Sequence, residues 1–238
     1  MPAESKSFVP RIPRNSQLIS TQTLNPNDPV HSPVSDPANW LSVGLVYALI
    51  MVAVWTPQGR FNDVVNLFAA FFILWFTVRG SYSARELGLT HPVDGAVVIL
   101  GAGLLLVVVI GVSGAVIANL GPNHPVPWSR DWQYAVWALQ QQFILQSFFY
   151  VRLESLLGSR RAVLAATLLF ASAHIPSPAL TVMSFIGGVF FCEMFRRYRN
   201  LYPLGLVHAA LGLIIAASFP DRWLHHMRVG IGFLQYHP

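Results

Sequence analysis

The sequence predicts an all-α, polytopic membrane helix bundle of about seven transmembrane helices. Three observations predict it. Of 238 residues only 11% are charged and 54% are apolar, where an ordinary soluble domain carries about a quarter charged residues. The mean hydropathy is +0.51. Seven apolar stretches follow one another, with proline and glycine between several of them and arginines gathered at their ends. A chain this poor in charge cannot cover a globule of its size with solvated side chains, which excludes a soluble enzyme. It is also too apolar for a disordered protein.

The elements follow in order. Residues 1–39 contain many Pro, Ser and Asn and have no apolar period, so they read as a flexible N-terminal tail. Lys6, Arg11 and Arg14 lie too far from the first apolar run at Leu41 for a cleaved secretory signal. The transmembrane domain runs over 40–218, with stretches at 40–55, 62–78, 96–120, 133–153, 161–175, 179–195 and 201–218. A span takes about 20 residues. The third stretch is unbroken; the first, fifth and sixth are short, a length that suits a helix inside a bundle or a partly re-entrant one. Pro57 and Gly59 separate the first two stretches, Gly121, Pro122, Pro125 and Pro127 follow the third, and Pro176 and Pro178 end the fifth and open the sixth. Residues 219–238 form a C-terminal tail. No solenoid-like repeat is visible.

Charge sets the expected orientation. With the N-terminus inside, the inner side holds the basic residues of the tail, Arg79 and Arg85, the group around Arg160 and the group around Arg197: eleven of the fifteen Lys and Arg. Cytoplasmic loops collect such residues, so the N-terminus is expected in the cytoplasm and the C-terminus outside, in a plasma (inner) membrane. Trp40, Trp55, Trp128, Trp132 and Trp223 fall near the expected membrane boundaries, as an aromatic belt does. The net charge of +5 is explained by these stretch-end arginines, so lipid and not nucleic acid is the expected partner. Cys192 is the single cysteine, which leaves no intrachain disulfide and no thiolate cluster.

Polar side chains in hydrocarbon are costly and mark function or packing. Gln140, Gln141, Gln142 and Gln146 lie on the fourth stretch, His174 at the outer end of the fifth, His208 within the seventh and Glu193 near the inner end of the sixth. At 1.5 Å per residue, Gln141 lies about 12 Å in from the outer side and His208 about 10 Å from the inner side. Gln142 and Gln146 share a helix face. Any one of these alone is most simply an interhelical hydrogen bond of about 0.6–2 kcal/mol. Their order along the chain points further.

The order resembles the CAAX protease and bacteriocin-processing (CPBP, or Abi) family of intramembrane endopeptidases. That family carries Glu-Glu-x-x-x-Arg on one helix, then Phe-x-x-x-His, then a histidine often found in His-x-x-x-Asn. Here Phe170-Ala-Ser-Ala-His174 matches the second motif, and His208 stands in Leu-Gly-Leu-Val-His-Ala-Ala-Leu-Gly at the place of the third. Gln141-Gln142-Phe-Ile-Leu-Gln146 occupies the place of the first. Glu86-Leu87-Gly88-Leu89 ahead of the third stretch also fits, so the resemblance covers about 81–218. It implies a CAAX-protease-like fold and peptide-bond hydrolysis in or beside the bilayer, on a membrane-associated peptide or protein. It further implies His174, His208, Gln141 and Gln142 at the catalytic position, with Gln146 and Phe170 in binding roles.

Chemistry limits that implication. In the family a glutamate activates water, and a carboxylate can take a proton near neutral pH; a glutamine amide cannot. Both motif glutamates are glutamine, the arginine is Gln146 and the final Asn position is Gly212. Glu154 and Glu193 each lie about 20 Å along a helix from the site, and Glu193 beside Arg196 and Arg197 reads as an interfacial ion pair. Asp131 reaches the site only if the outer loop folds back. The alternative is therefore a catalytically inactive relative that binds or scaffolds. A metal needs three or four ligands. His174 and His208 supply two, so no cofactor is expected. Gly111-Val112-Ser113-Gly114 matches a rhomboid-like Gly-x-Ser-Gly, with His208 as the conceivable base, but small residues in such a run more often serve close helix packing. A haem between the two histidines has only their presence to support it, and a transporter would need paired broken helices.

Overall fold

A computed structural model describes residues 36–118 and 131–236. Most of the N-terminal tail, Trp128 and His237 lie outside the described residues, as does the side chain of Asp131. Each of the seven apolar stretches is helical over most of its described residues. The elements are α1 (Pro37–Trp55), α2 (Arg60–Arg79), α3 (Ala96–Ala118), α4 (Asp131–Gln142), a π-helical segment (Phe143–Tyr150), α5 (Val151–Leu157), α6 (Ser159–Ser172), α7 (Pro178–Tyr198) and α8 (Leu201–Ser218). Two short helices, α9 (Asp221–Leu224) and α10 (Gly230–Leu234), follow. The protein is an all-α bundle of membrane-spanning type. Five helices have the length and composition to cross a bilayer: α1, α2, α7, α8 and residues Ala96–Val116 of α3. The sixth helix, at 14 residues, reaches only about 21 Å, short of a full hydrocarbon core. The fourth stretch is divided into three pieces by its change of helical pitch.

Local sequence explains the helix ends. The Asp36 side chain accepts from the Ala38 amide at 2.9 Å, with Pro37 in the first turn. Ser177 caps α7 through the Leu180 amide, again followed by proline. Large apolar side chains cover the outside of α1, α2 and α3, where lipid takes the place of water. The interior is gathered around the π-helical segment, in which Leu145 to Tyr150 are all buried, two polar residues among them.

Two features bring α8 to the centre. On one side it packs against α3 through glycine: a Cβ added to Gly103 would lie 2.3 Å from Val207, and one added to Gly114 would lie 2.1 Å from Ser218. The Gly-x-Ser-Gly string is thus a packing device. Ser113 beside it is exposed. On the other side Gly205 admits Leu139 and Gly212 admits Tyr134 from α4. Gly114→Leu is expected to destabilise the fold by about 1–3 kcal/mol through overpacking. Gly101→Leu, where nothing lies within 4 Å, should leave the melting temperature in detergent unchanged or raised.

The segment 81–95 ties one end of the bundle together. Ser147 Oγ donates to the Leu87 carbonyl at 2.7 Å, the Leu201 backbone amide to the Gly88 carbonyl at 3.0 Å, and the Asn200 side-chain Nδ2 to the carbonyls of Pro92 and Asp94 at 2.8 and 2.9 Å. Gly88, at φ +71°, passes so close to Phe195 that a Cβ would sit 2.5 Å from its ring. Glu154 pairs with Arg199, and both are largely buried. Glu193 binds Arg196 through two hydrogen bonds of 2.8 Å and Arg197 at 2.6 Å, the ion pair expected from sequence.

At the other end the chain folds back on itself. The Gly230 amide donates to the Ile175 carbonyl at 2.9 Å, and a Cβ at Gly230 would lie 2.1 Å from the Val54 carbonyl oxygen. Asp221 accepts from the Tyr236 hydroxyl and the His226 amide, each at 2.6 Å. Partial burial raises the pKa of the Asp221 carboxyl, but these donors and the nearby histidines outweigh it, and the net shift is downward.

Candidate functional site

A cavity of about 1010 Å³ lies between α3, α4, α7 and α8, closed by the end of α6, the α1–α2 turn and the chain after Phe219. Gln141, Phe170, His174 and His208 all face it. Three separate helices bring them there. Tyr134, Trp137 and Gln141 stand at i, i+3 and i+7 of α4 and line one wall together. Phe170 and His174 stand four apart at the end of α6, their rings 4.8 Å apart. Phe170 also meets His208 edge-on at 6.1 Å, and Phe191 covers His208 at 5.1 Å. The two imidazoles therefore share an aromatic enclosure.

Gln142 and Gln146 lie behind this wall, fully buried. The Gln146 amide donates to Gln142 Oε1 at 3.2 Å, and Gln142 Nε2 lies 3.1 Å from Nδ1 of His208. The π-helical turn that starts at Phe143 widens the helix at this point, a deviation frequent at functional sites. Gln146 Oε1, although buried, has no hydrogen-bond partner among the described residues. The residue standing at the family's arginine position thus continues a neutral chain of amides toward His208.

Those bonds assign the ring protons. An amide nitrogen can only donate, so with Gln142 oriented by this network Nδ1 of His208 accepts and the proton sits on Nε2. His174 is the reverse. Its Nδ1 lies 2.8 Å from the Phe170 carbonyl, which can only accept, so Nδ1 carries the proton and Nε2 keeps a lone pair. The pair offers one donor and one acceptor to whatever occupies the cavity. No Asp or Glu is among the described residues that line it. Glu154 and Glu193 are occupied by arginines elsewhere.

A metal does not fit these residues. Two imidazoles are present, and among the described residues no three of His, Cys, Asp and Glu come together, where a bound ion takes three or four ligands.

The final motif position has a structural consequence. Gly212 stands where the family pattern has Asn, and the Tyr134 hydroxyl fills the vacated space: an added Cβ would lie 1.8 Å from it. Tyr134 and Trp137 were not singled out by sequence, although their spacing from Gln141 places them on its face. Residues 227–235 also border the cavity, and no periodic signal announces them.

Residues 133–214 match the family described as Type II CAAX prenyl endopeptidase, Rce1-like. No curated protein and no solved structure matches the chain. The matched segment runs from α4 through α8, carries Gln141, Gln142, Gln146, Phe170, His174 and His208, and is similar to the CAAX protease family of intramembrane proteases.

Proposed function

We propose that the protein binds a segment of a membrane-associated peptide in this cavity and holds it where relatives would cut it. The observation that carries this reading is the absence of a carboxylate from the described residues of the cavity lining, beside two histidines of opposite hydrogen-bonding polarity. His208 Nε2–H is suited to donate to a peptide carbonyl, and His174 Nε2 to accept from an amide or a water. Gln141 adds a donor on the same wall, Phe170 orders the two rings, and Gln142 with Gln146 positions His208. Without a carboxylate, water in the cavity lacks the strong base that general-base catalysis needs. The protein would lie in a plasma membrane, N-terminus inside and C-terminus outside, on the arginine distribution.

A second reading is slow peptide-bond hydrolysis. The free lone pair on His174 Nε2 favours it, since an imidazole can itself take a proton from water.

The test uses the full chain in lipid nanodiscs and benzophenone-bearing hydrophobic peptides. Crosslinks are expected on α4, α7 and α8 around the cavity. Substituting both histidines by alanine should weaken capture about tenfold, the loss of two hydrogen bonds of roughly 0.5–1.5 kcal/mol each. Crosslinks confined to the outer, lipid-facing sides of the helices contradict the proposal. Release of cleaved peptide by the unaltered chain, abolished by His174→Ala, selects the second reading.

A further inference from the structure

We infer that the C-terminal segment after Leu224 completes the cavity as an anion-recognising rim, with Arg228 reading a carboxylate or phosphate at the end of an otherwise apolar ligand. The inference rests on the cavity being a ligand site, as proposed above, but not on hydrolysis.

Arg228 is the one residue of fixed charge among the described residues lining the cavity. An apolar chamber with a lone cation at its edge selects a ligand with an apolar body and an anionic end. Among the described residues the guanidinium is not spent on a carboxylate. It lies over the Tyr236 ring, 5.0 Å from the centroid, which leaves its in-plane N–H groups free. Asp221, the one acid of the sequence after Phe219, is taken by Tyr236, by the His226 amide and by His226 Nδ1 at 3.1 Å. Gln58 and Gln235 also line the cavity, and their side-chain amides make no hydrogen bond among the described residues. Three unspent donor groups thus line the cavity.

The placement of Arg228 is built into the backbone. His225, His226 and Met227 hold φ of 47°, 52° and 60°, three successive left-handed residues with no glycine among them. Such conformations are unfavourable for side-chain-bearing residues, and they persist where the surrounding structure determines them, often at ligand clamps. Immediately beyond, Gly230 at φ +54° is bonded to Ile175, next in sequence to His174, and is pressed against the Val54 carbonyl where no Cβ fits. The strained turn and the glycine contact together fix the residue between them at the cavity. An arginine that merely reached for lipid headgroups would need neither.

The test measures binding and not turnover. The full chain, in nanodiscs of zwitterionic phosphatidylcholine, is titrated with dansylated pentaleucine carrying either a free C-terminal carboxylate or a C-terminal amide. Energy transfer from tryptophan reports binding; Trp137 lines the cavity. Dodecyl phosphate and dodecanol serve as competitors. The unaltered protein should bind the acid about tenfold more tightly than the amide, as a charge-assisted hydrogen bond provides. Arg228→Gln should abolish that ratio while leaving amide binding unchanged, and Arg228→Lys should keep part of it. Displacement by dodecyl phosphate and not by dodecanol shows that phosphate is read as well; failure of both to displace identifies the carboxylate as the group recognised. Equal binding of acid and amide by the unaltered protein, or an acid preference that survives Arg228→Gln, overturns the proposal. Loss of acid and amide binding together in Arg228→Gln overturns it too, since the residue then only shapes the segment. Absence of binding by every probe removes the ligand-site reading itself and this inference with it.

Discussion

Gln141→Glu is expected to raise cleavage of a cavity-bound peptide by a factor of about 10² to 10⁴, the usual contribution of a positioned general base. Gln141 faces the cavity with His174 and His208, so a carboxylate there would meet the same water that the histidines can hold. Gln142→Glu is not equivalent. Gln142 is buried and abuts Nδ1 of His208. A carboxylate only accepts, so it would move the ring proton to Nδ1 and turn Nε2 from donor to acceptor. The donor aimed at a peptide carbonyl would be lost, and Gln142→Glu alone should give no comparable gain. The measurement is product release from a peptide already shown to crosslink in the cavity. A Gln141→Glu variant that still captures the peptide but cuts no faster contradicts the view that one base is what the site lacks. Gly212→Asn is not a useful companion, because the Tyr134 hydroxyl occupies that space.

Glu154→Ala is expected to be the most damaging single truncation outside the cavity, at about 3–5 kcal/mol. Glu154 and Arg199 are 11% and 18% exposed, so removal of the carboxylate leaves a guanidinium largely out of water. Tyr150 loses its 3.1 Å bond to the same carboxylate. Among the described residues Arg199 retains only a long 3.4 Å contact to the Glu86 carbonyl and the faces of Tyr150 and Phe195. This pair joins α5 to the α7–α8 turn, so the loss loosens that end of the helices that carry Gln142 and His208. Chemical denaturation in detergent should show the loss, and Glu154→Ala combined with Arg199→Met should recover much of it. Equal stability of the unaltered chain and Glu154→Ala contradicts this view of the pair.

The sequence made the helices legible because lipid demands long apolar runs, and each of the seven predicted stretches is helical over most of its described residues. It was less able to count the spans. A ruler of apolar length cannot tell a short helix such as α6 from a full-length crossing one. The π-helical segment was not legible, since its residues would be equally buried in an α-helix. The meeting of His174 and His208 followed from motif order, and the Glu193 pair from spacing along one helix. Tyr134 was within reach of the same face arithmetic that placed Gln141, but the glycine opposite it carries no such signal. The return of residues 225–235 to the cavity rests on left-handed turns at His225, His226 and Met227, residue types that do not announce that conformation. The partner of Glu154 lies 45 positions away and is set by tertiary packing alone.

The most direct test of the site is the protonation of its two working rings. Nitrogen-15 NMR of histidine-labelled protein in bilayers, with His174→Gln and His208→Gln for assignment, distinguishes a nitrogen that carries a proton from one that does not. His174 is expected to be protonated on Nδ1 and bare on Nε2, and His208 protonated on Nε2 and bare on Nδ1. The same tautomer on both rings, or two charged imidazoliums at neutral pH, would contradict a preformed neutral pair that gives one donor and one acceptor to a bound peptide.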